Sequence, residues 1–368
     1  FWLKPRGPRP PARCLRARPS SRSGRAPAMM QLLRPALAVL LPTVLLPKLL
    51  TQLADLAMGA RARRSMECTA PELPLAPAEE PELGTLGMLH VVYSTDGVDQ
   101  WGLIISMISL ARHVSDPGQC TIHIITTAVA ATQLDHLLWC FRKDLEDLPA
   151  IPAVNLLPER PCNMSDGTSP TGFYQTNCSQ RFVRYCLQDY LPAAPRVLWV
   201  DTDVVFHADV RPLYQMRMRH AVAGVKYTPY TNLRQSMDQM LQFGSLPFTA
   251  RSRHLEPYLE SQHINAGIML FDLTKWKSGA ITTALLRWIQ TLGEQVCMNQ
   301  AVLNVFFRTA FDELDWRWNV MVPRRVGAPQ RCLDAANAIH WAGPIKPWHP
   351  GGWSMHRELL GPYVPTRC

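Results

Sequence analysis

The triplet Asp201-Thr202-Asp203 follows the apolar run Val197–Val200 without a gap. On an extended chain, two carboxylates two residues apart point to the same side, so both can bind one divalent cation. Two like charges at the end of a buried strand are costly unless a cation compensates them. Such hard oxygen ligands suit Mn2+ or Mg2+, and a cation held there can neutralise a substrate diphosphate. A bare Asp-x-Asp is more often a solvated strand end or a turn. Here the apolar strand before it and the strand-like Val204-Val205-Phe206 after it favour a metal site.

Three further segments carry complementary groups. In Ala338–Gly352 (AIHWAGPIKPWHPGG), His340 can complete the shell of a cation held by carboxylates, and Lys346 can neutralise a phosphate oxygen. Singly, such a histidine is more often structural. Gly343-Pro344 forces a turn there, and Trp341, Trp348 and Trp353 are either platforms for sugar rings or ordinary core. In His263–Leu273 (HINAGIMLFDL), the small step Asn265-Ala266-Gly267 permits close approach of the backbone to a ligand. Asn265 can hydrogen-bond hydroxyls there, and a tight turn into a core strand is the competing reading. In Met298–Asn304 a helix begins, with Asn299 and Gln300 exposed on its first turn and Val302, Leu303 and Val305 facing inward. Amides at a helix start commonly act as caps.

These groups need a scaffold, and the order of elements predicts one. Met88–Thr95, Thr121–Thr127 and Ala153–Leu157 are strand-length runs, and Arg196–Phe206 (RVLWVDTDVVF) reads as a buried strand with a polar tip. Trp101–Val114, Ala131–Leu145 and Ser179–Leu191 read as helices, the last closed by Pro192. The alternation predicts an α/β fold with an open, mostly parallel sheet covered on both faces. Ligands bind such sheets beyond the carboxyl ends of the strands, where strand order reverses, which groups Ser94–Asp99 with Asp201–Asp203. After the first strand only Gly97 and Gly102 occur, so an ordinary dinucleotide-binding domain is a poor match.

The 368 residues are 47% hydrophobic and 18% charged, enough for one large or two ordinary domains with a real core. The formal charge of +9 is unevenly placed: residues 1–70 hold 13 Lys and Arg against Asp55 and Glu67, a net of +11, which leaves −2 for the rest. The near-neutral body argues against nucleic acid as a partner. Residues 1–28, rich in Arg, Pro and Ser, are expected to be a disordered leader or an artefactual extension ahead of a start at Met29 or Met30. Residues 29–60, with the apolar run Pro35–Pro47, read as a signal peptide or signal anchor, residues 61–87 as a stem, and 88–368 as the catalytic domain. The expected location is the secretory pathway, in the ER or Golgi lumen, as a single-pass type II membrane protein if the segment is uncleaved. Ten cysteines without a CxxC pair argue against a structural zinc site; Cys162 can pair with Cys178 or Cys186. Two glycosylation sequons begin at Asn163 and Asn177 in the same polar stretch.

The succession Val92–Asp96, Arg181–Leu191, LWVDTDVVF, HINAGIMLFDL, NQAVLN, Trp316-Arg317-Trp318-Asn319 and HWAGPIKPWH resembles the retaining family-eight glycosyltransferases over roughly residues 88–350. That group contains bacterial lipopolysaccharide galactosyltransferases, glycogenin and the glucoside xylosyltransferases. The resemblance implies a GT-A-type nucleotide-diphospho-sugar transferase, built on a single mixed, mostly parallel sheet flanked by helices. It implies Mn2+, with Mg2+ as the alternative, held by Asp201, Asp203 and His340. By the same resemblance, Ser94, Thr95 and Asp96 hold the base and ribose, and Arg184 contacts the metal-strand aspartate and the donor. Thr202 joins the donor contacts, Asn265, Ala266 and Gly267 line the donor sugar, and Gly343 and Lys346 grip the diphosphate. Gln300, with Asn299 beside it, falls beneath the anomeric carbon as nucleophile or cation stabiliser.

The chain departs from the family pattern where many members have an acidic residue: Asn299 precedes Gln300, Ala301 follows it, and Lys226 stands on the acceptor side. Fewer carboxylates near the reacting carbon favour front-face substitution over a covalent aspartyl intermediate. The expected function is metal-dependent transfer of galactose or glucose, with retention, from a UDP-sugar to a hydroxyl of a glycan, glycoprotein or glycolipid. Two other readings stay open. One is a UDP-xylose-dependent xylosyltransferase, which CSQRFVRY with LWVDTDVVF also resembles. The other is a catalytically silent sugar- or nucleotide-binding protein, favoured by Asn299 and Ala301 but opposed by the intact Asp201, Asp203, His340 and Lys346. A hydrolase would need a general base that the sequence does not offer. The loop Thr228–Gln262, with Tyr227, Tyr230, Met237, Met240 and Phe248, is expected to cover the acceptor side.

Overall fold

The computed structural model describes residues 87–164, 167, 182–226, 232–242, 250–292, 299–322, 328–343, 346–349 and 356–367. The expected leader and signal segment, and the stem up to residue 86, lie outside these residues, as do Arg181, Asn177, Cys178, Tyr227, Tyr230, Phe248, Pro344 and Trp353. By packing, the chain separates into two units, Phe1–Leu56 and Ala57–Cys368, and every described residue belongs to the second.

Strands β1 (Leu89–Thr95), β2 (Cys120–Thr126) and β3 (Ala153–Pro158) alternate with helices α1 (Gln100–His113) and α2 (Ala128–Asp144). A short helix α3 (Leu187–Tyr190) precedes β4 (Arg196–Val200) and β5 (Val204–Phe206), and α4 (Arg211–Gln215) leads to β6 (Val222–Lys226). Then follow α5 (Leu233–Gln242), β7 (Ile264–Asp272), α6 (Leu273–Ser278), α7 (Ile281–Leu292), α8 (Asn299–Phe307) and β8 (Asp312–Leu314). The last elements are β9 (Val320–Met321), α9 (Gln330–Asp334) and β10 (Ala338–His340). Seven strands form one sheet in the order β3-β2-β1-β4-β7-β6-β8. Only β7 opposes its neighbours; the β1–β2, β2–β3, β1–β4 and β6–β8 pairs are parallel. The chain leaves β1 for β2 and β3 on one side and returns to β4 on the other, so the crevice between β1 and β4 is the switch point expected to take a ligand.

Alternate residues of a strand face opposite ways, and the core divides accordingly. Val91 and Tyr93 of β1 and Leu198 and Val200 of β4 join one apolar cluster, with α1 and α2. Val92, Val197 and Trp199 join the other, with α7 and α8. Helix α1 is buried from Gly102 to Ala111, because α2, β5 and the Arg357–Tyr363 turn all pack on it. That accounts for its apolar residues on every face.

Arg196–Phe206 is two strands rather than one. Val200 ends the large sheet, while Val204–Phe206 pairs antiparallel with β10 in a second sheet, β5-β10-β9, added to the expected mixed sheet. Partners contributed from more than a hundred residues downstream set that break. The expected helix Ser179–Leu191 is, within the described residues, a 3-10 turn at Val183–Cys186 followed by α3. Thr228–Gln262 is no simple loop: it contains α5, which packs on α8, and a 3-10 segment at Ala250–Tyr258. Cys162 pairs with Cys186, Cys140 and Cys332 are also disulfide-bonded, and Cys120 is a buried free thiol.

Candidate active site

The break between the two sheets is where the carboxylates sit. β10 pairs with β5 so that His340 lies opposite Val204, next to Asp203, and the Trp341 N–H donates to the Asp203 carbonyl at 2.9 Å. Asp201, Asp203 and His340 each offer a ligand atom, all within 4.8 Å of one another. Asp203 and His340 are 8% and 4% exposed, and Nε2 of His340 is 3.2 Å from Oδ1 of Asp203. Lys346 Nζ contacts the other Asp203 oxygen and donates to the Trp341 carbonyl at 2.9 Å. Burial pushes the Asp203 carboxyl up, but His340 and Lys346 outweigh it and hold the group well below the usual carboxylate range. Asp201 uses Oδ1 twice, accepting from Arg184 at 3.1 Å and from the Trp199 indole at 2.8 Å. No partner of its Oδ2 is found among the described residues.

Arg184 is itself fixed. It donates to the Ala266 carbonyl at 2.8 Å and stacks its guanidinium 4.3 Å from the Trp199 ring, and its Nε is buried without a partner among the described residues. This is a surplus donor beside the carboxylates.

Two backbone N–H groups set the direction of a chain of amides leading away from His340. The Gly267 N–H donates to Asn265 Oδ1 at 2.8 Å, so that atom is the oxygen. The Asn319 atom 2.8 Å from the same oxygen must then be Nδ2, a donor, which turns Asn319 Oδ1 toward His340 Nδ1 at 2.9 Å. His340 therefore carries a proton on Nδ1, and Nε2, 3.2 Å from Asp203 Oδ1, is the ring atom that a metal would take in place of a proton. On the other side, the Ala266 N–H donates to Gln300 Oε1 at 3.0 Å, which also accepts from Asn265 Nδ2 at 3.4 Å. The ring of His340 lies over Gly267: a Cβ there would come 2.3 Å from Cε1.

Two carboxylates and an imidazole whose far nitrogen is committed to an amide are a donor set that fits a divalent cation. Asp201, Asp203 and His340 would hold it.

Val92 of β1 pairs with Trp199 of β4, so Thr95 and Thr202, each three residues on, lie at the same end of the crevice. Ser94 is half-buried, Thr95 is buried with Oγ1 accepting from the Gly97 N–H, and exposed Asp96 accepts from the Val98 N–H. Gly343 has φ +111°, a left-handed conformation that glycine adopts without strain. Asn299 caps its own helix, its Oδ1 accepting from the Gln300 N–H, and Tyr185 holds its carbonyl at 2.7 Å. Both lone pairs of Gln300 Oε1 are in use, so the structure gives this oxygen a bracing task between α8 and β7. Lys226 pairs with Glu313, and Trp341 is buried core rather than an open sugar platform.

Sequence reasoning gave no role to Asp99 or Asn304 and treated Asn319 only as part of a motif. Asp99 caps α1 through the Gly102 N–H and accepts from the Trp348 indole at 2.6 Å, tying the segment at 346–349 across the crevice. Asn304 bonds both the N–H and the carbonyl of Ile264. Its position among the inward Val302, Leu303 and Val305 is the signal available in the sequence.

The sheet order, the paired aspartates where one sheet passes to the next, and the histidine and lysine brought to them define a GT-A-type glycosyltransferase fold. The sequence model of Glycosyl transferase family 8 matches residues 90–351, and the chain belongs to that family. Glycosyltransferase 8 domain-containing protein 1 of Danio rerio is 26% identical over 188 residues, 45% of this chain and 51% of that protein. This chain thus matches about half the length of that relative. Probable galacturonosyltransferase-like 3 of Arabidopsis thaliana is 21% identical over 280 residues, 71% of this chain and 74% of that one. Among solved structures, the galactosyltransferase LgtC, in complex with donor and acceptor sugar analogs, superposes with a TM-score of 0.52 at 15% identity. It covers 75% of this chain and 95% of its own, a likeness of fold.

Proposed function

We propose that the chain transfers a hexose, galactose or glucose, with retention, from a UDP-sugar to a hydroxyl of a glycan, glycoprotein or glycolipid. The observation that carries this reading is the convergence of Asp201, Asp203 and His340, with Lys346 on Asp203, at the mouth of the β1–β4 crevice. Mn2+ or Mg2+ bound there would supply positive charge against a diphosphate. Breaking an anomeric C–O bond leaves negative charge on the departing diphosphate and positive charge on the sugar. Lys346 is a cationic donor for the first, and Arg184, held on Asp201, adds positive charge nearby. The residues directly beside Gln300, Asn299 and Ala301, carry no carboxylate, and Gln300 Oε1 is doubly occupied, which supports front-face substitution.

A luminal location in the ER or Golgi belongs to the same proposal. The bonded Cys162, Cys186, Cys140 and Cys332 support it, since disulfides persist in oxidising compartments. The anchoring role stays with the apolar run Pro35–Pro47; among the described residues no helix is long and apolar enough to cross a membrane.

The test is UDP release by the full chain, made in an oxidising host, across UDP-galactose, UDP-glucose, UDP-xylose and UDP-galacturonate, with and without Mn2+. Cation-dependent release from one hexose donor is the expected result. Release from UDP-xylose alone assigns the xylosyl reading, and a folded chain that binds no UDP overturns the proposal. Asp203→Ala abolishes release while circular dichroism stays native, and Lys346→Ala lowers turnover by about a hundredfold.

A further inference from the structure

Asn319 is not itself among the residues expected to bind donor or metal, yet it is 5% exposed and joins the two halves of the site. It ends the 3-10 turn Trp316–Asn319, directly before β9, whose Met321 pairs with His340. Its backbone thus leads directly into the small sheet, while its side chain reaches Asn265 on β7 of the large one. One amide spans the junction at which Asp201 and Asp203 sit.

We propose that Asn319 is a positioning residue that holds His340 in the tautomer needed for metal ligation and, through Asn265, couples that ligand to the Asn265–Gly267 step. The proposal rests on the metal-dependent reading above and adds to it a residue that acts through two others. The physical case is one of orientation. A neutral imidazole binds metal through whichever nitrogen lacks the proton, and the partner of the other nitrogen decides which that is. Asn319 Oδ1 can only accept, so it selects Nδ1–H and leaves Nε2 directed to the aspartates. Without it, the proton is free to move to Nε2, where Asp203 Oδ1 at 3.2 Å would accept it and exclude a metal. The other end of the amide has a separate task. Asn319 Nδ2 and the Gly267 N–H share Asn265 Oδ1, which keeps the Asn265 amide turned so that its Nδ2 faces Gln300. A shift at His340 is thereby felt at the step that carries Ala266 and Gly267, and the reverse.

The two ends are separable by substitution. Asn319→Ala removes both bonds. Asn319→Asp keeps an acceptor for His340 Nδ1–H but sets a second oxygen against Asn265 Oδ1. The primary readout is Mn2+ affinity without donor, from the free-ion signal in electron paramagnetic resonance, followed by kcat and KM for UDP-sugar hydrolysis at saturating Mn2+. Asn319→Ala should weaken Mn2+ binding about 10- to 100-fold. Asn319→Asp should bind Mn2+ within about threefold of wild type yet lose about tenfold or more in kcat, the range of supporting residues around a metal site. Rescue of metal affinity by Asp but not by Ala, in chains with wild-type melting cooperativity, supports the proposal. Wild-type Mn2+ affinity in a folded Asn319→Ala overturns it. So does a parallel loss of affinity, turnover and melting temperature in both variants, which marks a purely structural amide. If the wild-type chain binds no Mn2+ with or without UDP, the metal reading fails as a whole, an outcome distinct from either.

Discussion

Gly267 shows how tightly single atoms define the site. With His340 Cε1 2.3 Å and Nδ1 2.5 Å from where a Cβ would stand, and Asn265 Oδ1 at 3.0 Å, the imidazole rests on bare backbone. Gly267→Ala should push the ring off Asp203 and weaken Mn2+ binding by about tenfold or more, measured by isothermal titration, while the strand itself persists. The wild-type affinity in this variant would mean that His340 is not a ligand. At this scale much was legible: Asp201, Asp203, His340 and Lys346 are polar groups beside apolar runs, and these four meet in space, with Gln300 linked to them through Asn265 and Asn319. What a list of residue types does not contain is direction. Nothing in Asn265-Ala266-Gly267 says that consecutive N–H groups orient two amides, one toward the metal ligands and one toward α8. The same holds for Gln300: its place at the start of α8 was legible, but not that its oxygen accepts from the Ala266 N–H of β7.

Among the elements, the disulfide between Cys162 and Cys186 has the clearest mechanical role. Cys186 closes the 3-10 turn that carries Arg184, and Thr282 Oγ1 and Asn299 hold Tyr185 of the same turn. Closing a loop of sequence separation 24 restricts the unfolded chain by about 3 kcal/mol. Replacing both cysteines by alanine should lower stability by that order in chemical denaturation and raise KM for the donor, since Arg184 is loosened with the turn. Unchanged KM in that variant would separate Arg184 from donor binding. The strands β1 to β3 and helices α1 and α2 were readable because each is a local pattern of period two or 3.6. The break after Val200 was not, since RVLWV and VVF are both apolar and only pairing with Ala338–His340 separates them. Helix α5 was overlooked although Leu233, Ser236 and Met237 follow helical spacing, and these three are buried. A long polar segment between β6 and β7 masked the period.

The whole molecule carries a pH dependence unrelated to catalysis. Burial, joined by a neighbouring histidine at the first two, pushes His123, His207 and His263 down to about 4. Unfolding returns each toward 6.5, so between those values the unfolded chain binds more protons and gains at the expense of the folded one. Thermal melting should therefore fall as pH drops from 6.5 toward 4, and a His123→Gln variant should show a shallower fall, both read by scanning fluorimetry. A melting temperature flat across that window would mean that these side chains are solvated. The distance along the chain between parts of the site has another outcome, in the time order of synthesis. Trp348 and Asp99 are 249 positions apart, and Lys346 and Asp203 143. Translation releases about 5–20 residues per second, so the aspartates precede His340 and Lys346 by on the order of ten seconds. For that interval the nascent sheet presents two carboxylates with neither their histidine nor their lysine. On the proposed reading activity arrives only with the segment made late: a messenger interrupted before the codon for His340 encodes the seven strands of the large sheet but not a whole β10, the partner of both β5 and β9, and so lacks the proposed metal-binding histidine.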